Sequence, residues 1–123
     1  MELKYDPNAK PLTDAEIYKF LPREFKIACH TIRVIVEDWI PTKNPKAEDS
    51  CYGQWHDVHC TVKVARAVKT EDDEVIPLNE EQIRNTFWHE VFHCFCFFGS
   101  IGQDEMIVQT LANFMREYET TKK

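Results

Sequence analysis

The sequence lacks an apolar run long enough to cross a membrane, since even VFHCFCFF, residues 91–98, is short and interrupted by a histidine. Its N-terminus lacks the basic and then apolar layout of a signal peptide. Basic residues are also few: 15 are scattered along the chain against 21 acidic ones, which gives a formal charge of −6. A nucleic-acid footprint needs clustered positive charge. We therefore expect a cytoplasmic protein with neither a membrane nor a nucleic acid as partner.

No CxxC pair occurs among the cysteines, which number five, an odd count. They are Cys29, Cys51, Cys60, Cys94 and Cys96. Without an export signal, they are expected to be reduced thiols that mostly fill small core positions. The alternative is a structural zinc site, whose ligands would be Cys51, His56, His59 and Cys60. The spacing of those residues matches no common zinc-ribbon or zinc-finger pattern.

The length of 123 residues suits a single domain with one core, spanning residues 1–123. Hydrophobic residues make up 43% and charged residues 29%, which is an ordinary globular balance. Residues 1–12 are predicted to be an extended lead-in, and residues 119–123 a frayed tail. Residues 41–50 and 69–74 are predicted to be polar surface loops.

The first half of the chain predicts a short helix followed by strands. Thr13-Asp-Ala-Glu16 is a capping box that marks a helix start, and Pro22 predicts that the helix stops near Leu21. Apolar residues alternate at 25, 27 and 29, and in the opposite phase at 32, 34 and 36. This pattern predicts a hairpin with its turn at residues 29–31. A further strand is predicted in CTVKVA, residues 60–65, after a turn near Gly53.

The second half predicts two helices. Asn79-Glu-Glu-Gln82 is another capping box, and apolar residues at helical spacing follow it as far as Gly99, a natural stop. The last helix should begin near Asp104, and it carries an apolar face made of Ile107, Leu111, Phe114 and Tyr118. The order helix, strands, helix, helix predicts an α+β domain with helices packed on one side of a small antiparallel sheet.

The helix after Asn79 contains the motif HExxH, within TFWHEVFHCF. His89 and His93 are four residues apart, so they project from one helical face and can bind one zinc ion together. Ionisable groups in such an apolar run are costly to bury unless something pairs with them. A chance occurrence of the motif is the competing interpretation. The capped helix start and the apolar face opposite the histidines favour zinc.

A catalytic zinc ion usually has three protein ligands and one open position. Two carboxylates follow the motif before the C-terminal tail, at Asp104 and Glu105. Asp104 is expected to cap the last helix, which would occupy its side chain, so Glu105 is the expected third ligand. The alternative for Glu105 is a solvated acid that favours the helix dipole. Cys96 stays open as a soft thiolate ligand, although a packing role is favoured.

From residue 25 to residue 118 the chain resembles small phage and bacterial zinc metallopeptidases, which are minimal gluzincin-like proteins distantly similar to the ImmA/IrrE peptidases. The similar segments are FKIACHTIRVIV, CYGQ leading into CTVKVA, NEEQIRNTFWHEVFH and DEMIVQTLANFM. In that family a glutamate on the helix after HExxH completes the site, and a Leu-Ala pair follows it. Here Leu111-Ala112 makes Glu105 the matching glutamate. The aromatic residues on both sides of HExxH depart from the family pattern.

The resemblance implies zinc-dependent peptide hydrolysis, with His89, His93 and Glu105 as metal ligands. Glu90 would be the general base that takes a proton from water and passes it to the leaving amine. The alternative function is a catalytically inactive, zinc-stabilised protein-binding module of phage or bacterial origin. The sequence predicts no oligomeric state.

A peptide or protein substrate is expected to add as an extra strand along an exposed edge of CTVKVA. Tyr52, His56 and His59 precede that strand and are considered as helpers at the substrate carbonyl. Each of the three is expected to be a surface turn residue instead.

Overall fold

The computed structural model describes residues 10–27, 29–41, 50–70, 72, 74–99 and 104–121. Most of the predicted lead-in and of the 41–50 loop lies outside these ranges, as do residues 71, 73, 122 and 123. The described helices are α1 (Asp14–Ile17), α2 (Glu80–Phe98) and α3 (Glu105–Thr121). The strands are β1 (Glu24–Ile27), β2 (His30–Glu37), β3 (Ile40–Pro41), β4 (Ser50–Cys51), β5 (Gly53–His56), β6 (Thr61–Ala65), β7 (Ala67–Lys69) and β8 (Val75–Pro77).

The α+β class is confirmed, but the main sheet is mixed and the antiparallel prediction was wrong. Its strand order is β1-β2-β6-β5, in which β2 and β6 run parallel and the other two pairs antiparallel. The chain leaves β2, forms β3 to β5, and returns in β6 beside β2 in the same direction. Apolar alternation reports one buried face of a strand and is the same for either orientation of its neighbour. Two small sheets, β3–β4 and β7–β8, complete the described strands.

The strand predicted in CTVKVA exists, as β6, but it is not an edge. It lies between β2 and β5, so both of its sides are already paired and no substrate strand can add there. The turn expected near Gly53 is also displaced. Gly53 begins the edge strand β5, and the turn comes at residues 57–60, where Cys60 takes a positive φ of 48°.

The predicted β1–β2 hairpin is confirmed, with Ile27 paired to His30. Its turn comes one to two residues earlier than expected, because residues 30 and 31 already belong to β2. Cys29, in the turn, takes a φ of 67°, a conformation that few non-glycine residues adopt.

Helix starts follow the sequence signals closely. Both predicted capping boxes form, at Thr13 for α1 and at Asn79 for α2, and α2 ends at the C-cap Gly99. The Asp104 carboxylate accepts hydrogen bonds from the backbone N–H groups of Met106 and Ile107, at 2.9 and 3.2 Å, so it caps α3 as expected. The last helix is helical to residue 121, beyond the predicted start of fraying at 119.

The core lies between the sheet and α2. Its members include Ile32, Val34, Val62 and Val64 from β2 and β6, and Ile83, Phe87, Val91 and Cys94 from α2. In turn, α3 packs on α2, with Val108 and Ala112 fully buried. Arg116, also buried, forms an ion pair with Glu81 of α2 that ties the two helices together, and a second ion pair with Glu119 on α3 itself. None of the described helices combines the length and apolar character needed to cross a bilayer.

Candidate metal centre

The side chains of His89 and His93 from α2 meet that of Glu105 from the first turn of α3. The Nε2 atom of His93 lies 2.7 Å from Glu105 Oε1, and the Nε2 atom of His89 lies 2.9 Å from Glu105 Oε2. The two Nε2 atoms are 3.2 Å apart. Among the described residues this is the one group of three or more potential ligands whose donor atoms converge, and it could hold a metal ion.

The chemistry of the donor atoms fits a cation. His89 Nδ1 lies 2.6 Å from the side-chain oxygen of Gln109, which can only accept a hydrogen bond. Nδ1 therefore carries a proton, and the Nε2 atom of a neutral His89 presents a lone pair to the Glu105 carboxylate. These two groups repel each other unless a second proton or a metal ion lies between them. Tetrahedral zinc at about 2.0–2.2 Å from each ligand separates donor atoms by about 3.3–3.6 Å. The donor atoms here are 2.7–3.2 Å apart, so the three side chains would spread by less than about 1 Å to hold the ion.

The other candidate ligands do not join this group. Asp104 caps α3, and Cys96 is buried without converging on the histidines. The alternative site at residues 51–60 is not assembled either. His56 Nε2 instead contacts Gln54 Oε1 at 2.7 Å, and the Cys60 thiol donates to the Asp57 carbonyl at 3.8 Å.

A chain of amides behind His89 was not predicted. The Gln109 side-chain amide donates to the oxygens of Asn85, at 3.0 Å, and of Asn113, at 2.8 Å. Asn85 also donates to Asn113, at 3.0 Å. Asn85 precedes His89 by one helical turn, and Gln109 and Asn113 follow Glu105 at the same spacing. The sequence does carry a signal for these amides, since polar residues spaced four apart recur on both helices, and residues at that spacing share one helical face.

Glu90 is buried, with 7% of its surface exposed, and lies beneath the start of the edge strand β5. A Cβ atom at Gly53 would approach Glu90 Cγ to 3.2 Å, Thr86 Cγ2 to 2.6 Å and the Lys63 carbonyl oxygen to 2.9 Å. Only glycine lets β5 come this close to α2. The sheet edge therefore passes directly beside HExxH.

Two open cavities meet at Gly53, His89 and Glu90, one of 760 Å³ and one of 380 Å³. The larger extends past Tyr52 toward the amide chain, and the smaller extends past Trp55 toward Glu105. A ligand could therefore continue past Glu90 on both sides.

Tyr52 was predicted to be a surface turn residue, whereas in the structure its half-buried side chain lines the larger cavity, with His89 and Glu90. Burial raises the pKa of the Tyr52 phenol still further above neutral, so its hydroxyl is a hydrogen-bond donor at neutral pH. The other two residues considered as helpers at the substrate carbonyl, His56 and His59, have different surroundings. His59 is an exposed turn residue, as expected, and His56 is bound to Gln54.

No protein-family model matches the chain, and neither a curated protein nor a solved structure matches it.

Proposed function

We propose that the protein is a zinc-dependent metallopeptidase with a gluzincin-like site. The observation that supports this most is the convergence of His89, His93 and Glu105 beside the buried Glu90, in a cleft open on both sides. Two imidazoles and one carboxylate are a donor set typical of catalytic zinc, which keeps a further position open. Magnesium and calcium prefer oxygen ligands throughout. The HExxH helix and the following helix with its glutamate agree with the peptidases that the sequence resembles.

Zinc, when bound, polarises a carbonyl group and lowers the pKa of water to about 7. The protein's own residues handle the proton and the geometry. Glu90 accepts a proton from water and returns it to the leaving amine. Gln109 holds the His89 ring in the tautomer that directs Nε2 toward Glu105. Tyr52, on the same cavity, is the donor that we assign to the substrate carbonyl.

The substrate would bind along β5, which is, among the described residues, one of the two edge strands of the main sheet and the one that passes beside Glu90. The Ala65 N–H donates to the Tyr52 carbonyl at 2.8 Å, which makes this a hydrogen-bonded pair. Such pairs alternate along antiparallel strands, so the backbone groups of Gly53 and Trp55 point away from β6. An extended peptide could pair with them. We therefore propose that the substrate adds as an extra strand, as the sequence predicted, but along β5 instead of β6.

A peptide library derived from a proteome, incubated with zinc-loaded protein and analysed by mass spectrometry, tests this function. We expect the wild type to cut peptides and Glu90→Gln to lose about 10²–10⁴-fold in rate, since the amide cannot accept the proton. Metal content and thermal unfolding should match between the two forms. Equal cleavage by both forms would indicate a contaminating protease. Cleavage by neither would contradict the peptidase and favour the zinc-stabilised binding module.

A further inference from the structure

The outward face of α3 carries a continuous row of large apolar side chains. We call it the α3 stripe: Ile107, Leu111, Phe114 and Tyr118, which are 56%, 36%, 62% and 60% exposed. The sequence predicted an apolar face made of these four residues, but the face that α3 buries in the structure is a different one. Val108, Ala112 and Arg116 attach α3 to α2, so the stripe is not needed to hold the helix in place. Apolar patches of this kind commonly mark interaction sites.

The spacing of the stripe indicates another helix as its complement. Its members are separated by four, three and four residues, the alternation of the two apolar positions in a coiled-coil heptad. The series reads the same in both directions. A two-fold axis through the middle of the stripe therefore places Ile107 of one copy opposite Tyr118 of the other, and Leu111 opposite Phe114. The spacing of the stripe is compatible with pairing to a second copy of itself.

Charge also favours a second copy of the chain. Residues 106–115 contain no charged side chain, although 29% of the chain is charged and its net charge is −6. Two copies carry the same net charge and repel each other overall, and this uncharged stretch lets them approach without like-charge contact. A membrane surface fits less well, because helices that lie on anionic lipid carry Lys and Arg on their polar side. The charged residues of α3 are Glu105, Arg116, Glu117 and Glu119.

We infer that the α3 stripe is the interface of a homodimer in which two α3 helices pack antiparallel. Ile107 of each copy then meets Tyr118 of the other, and Leu111 meets Phe114, so that each layer pairs an aliphatic with an aromatic side chain. The 17-residue helix is about 25 Å long. One such pair of helices is a small interface of the kind found in weak, transient complexes, so the dimer should dissociate reversibly. The two metal centres lie at opposite ends of the helix pair.

Sedimentation equilibrium over a range of protein concentrations tests the dimer. We expect the wild type to dimerise reversibly, and Phe114→Glu to remain a monomer with unchanged thermal unfolding and zinc content. Val58→Glu is the matched control, since Val58 is 84% exposed in the turn before β6 and should tolerate the same charge without loss of dimer. A wild type that stays monomeric, whether the stripe is bare or covered by another part of the chain, would overturn the inference. So would a Phe114→Glu dimer.

The orientation is tested by Leu111→Lys combined with Phe114→Glu. In the antiparallel arrangement each lysine faces a glutamate of the other copy, so the double variant should dimerise more strongly than either single variant. In a parallel arrangement like charges would meet, and the double variant would be no better than the single ones. That result would overturn the antiparallel packing. Chemical cross-linking at matched concentrations gives an independent readout.

Discussion

His89 Nδ1 lies 2.6 Å from Gln109 Oε1, on the face of α3 that also carries Glu105 one turn earlier. One helix therefore supplies both the carboxylate beside the histidine and the amide that orients its ring. Because Gln109 is itself held by Asn85 and Asn113, the position of α3 against α2 sets the geometry of the metal centre.

Purified protein should contain about one zinc ion per chain, and His93→Ala should lose it. The reason is the convergence of two imidazoles and a carboxylate on one point.

Among the acids, Glu105→Ala should weaken zinc binding far more than Asp104→Ala, because Glu105 contacts both histidines and Asp104 caps α3. Elemental analysis and competition with a chromogenic chelator measure both effects.

Asp104→Ala serves as the matched control, since it should mainly lower stability, by about 0.5–2 kcal/mol for the lost cap. Equal zinc affinity for the two acid variants would show that Glu105 is an ordinary surface acid. Metal-free wild type from a chelator-free preparation would indicate a plain His–Glu ion pair.

Gln109→Ala should reduce zinc affinity or activity by about 10–100-fold, the usual effect of losing the group that orients a metal-binding histidine. Gln109→Glu should retain most of the affinity, because a carboxylate also accepts a hydrogen bond from His89 Nδ1. Thr110→Ala is the neighbouring control, since the Thr110 hydroxyl only donates to the Met106 carbonyl. Calorimetric zinc titration of the three variants measures this. If Gln109→Ala titrates like wild type, the amide does not orient the ring.

Gly53→Ala should destabilise the fold by about 1–3 kcal/mol, because the added methyl group meets Thr86 and the Lys63 carbonyl at closer than normal contact. Adding Thr86→Ser removes the nearest clashing atom and should restore part of the loss. Val58→Ala, in the exposed turn after β5, is the control. Urea unfolding of the single and double variants measures these changes in stability. An unaltered unfolding midpoint for Gly53→Ala would mean that β5 does not lie this close to α2.

Tyr52→Phe should lower kcat against a peptide that the wild type cuts, and leave zinc content and stability unchanged. The phenol is on the cavity that Glu90 lines, and its raised pKa keeps it protonated. His59→Ala, in the nearby turn, should have no effect. A Tyr52→Phe enzyme with wild-type kcat and a higher KM would assign Tyr52 to substrate binding.

Features that depend on neighbours along the chain follow directly from the sequence. The capping boxes at Thr13 and Asn79, the end of α2 at Gly99 and the cap at Asp104 join groups within four residues, so local hydrogen bonding fixes them. The two histidines share a face for the same reason, since helix geometry alone places them one turn apart.

Which segments meet depends on packing between elements that are distant along the chain. The pairing of β6 with β2 on one side and β5 on the other leaves β5 at one edge of the main sheet, and the approach of β5 to α2 brings Gly53 and Tyr52 to the cavities around Glu90. Where α3 packs on α2, the small residues Val108 and Ala112 are buried, and the larger apolar residues of the α3 stripe stay exposed. The buried row and the α3 stripe both repeat with helical periodicity, so periodicity alone does not tell which of the two packs against a neighbouring helix. Close approach of two helices favours the small side chains, and this leaves Phe114 and Leu111 outside.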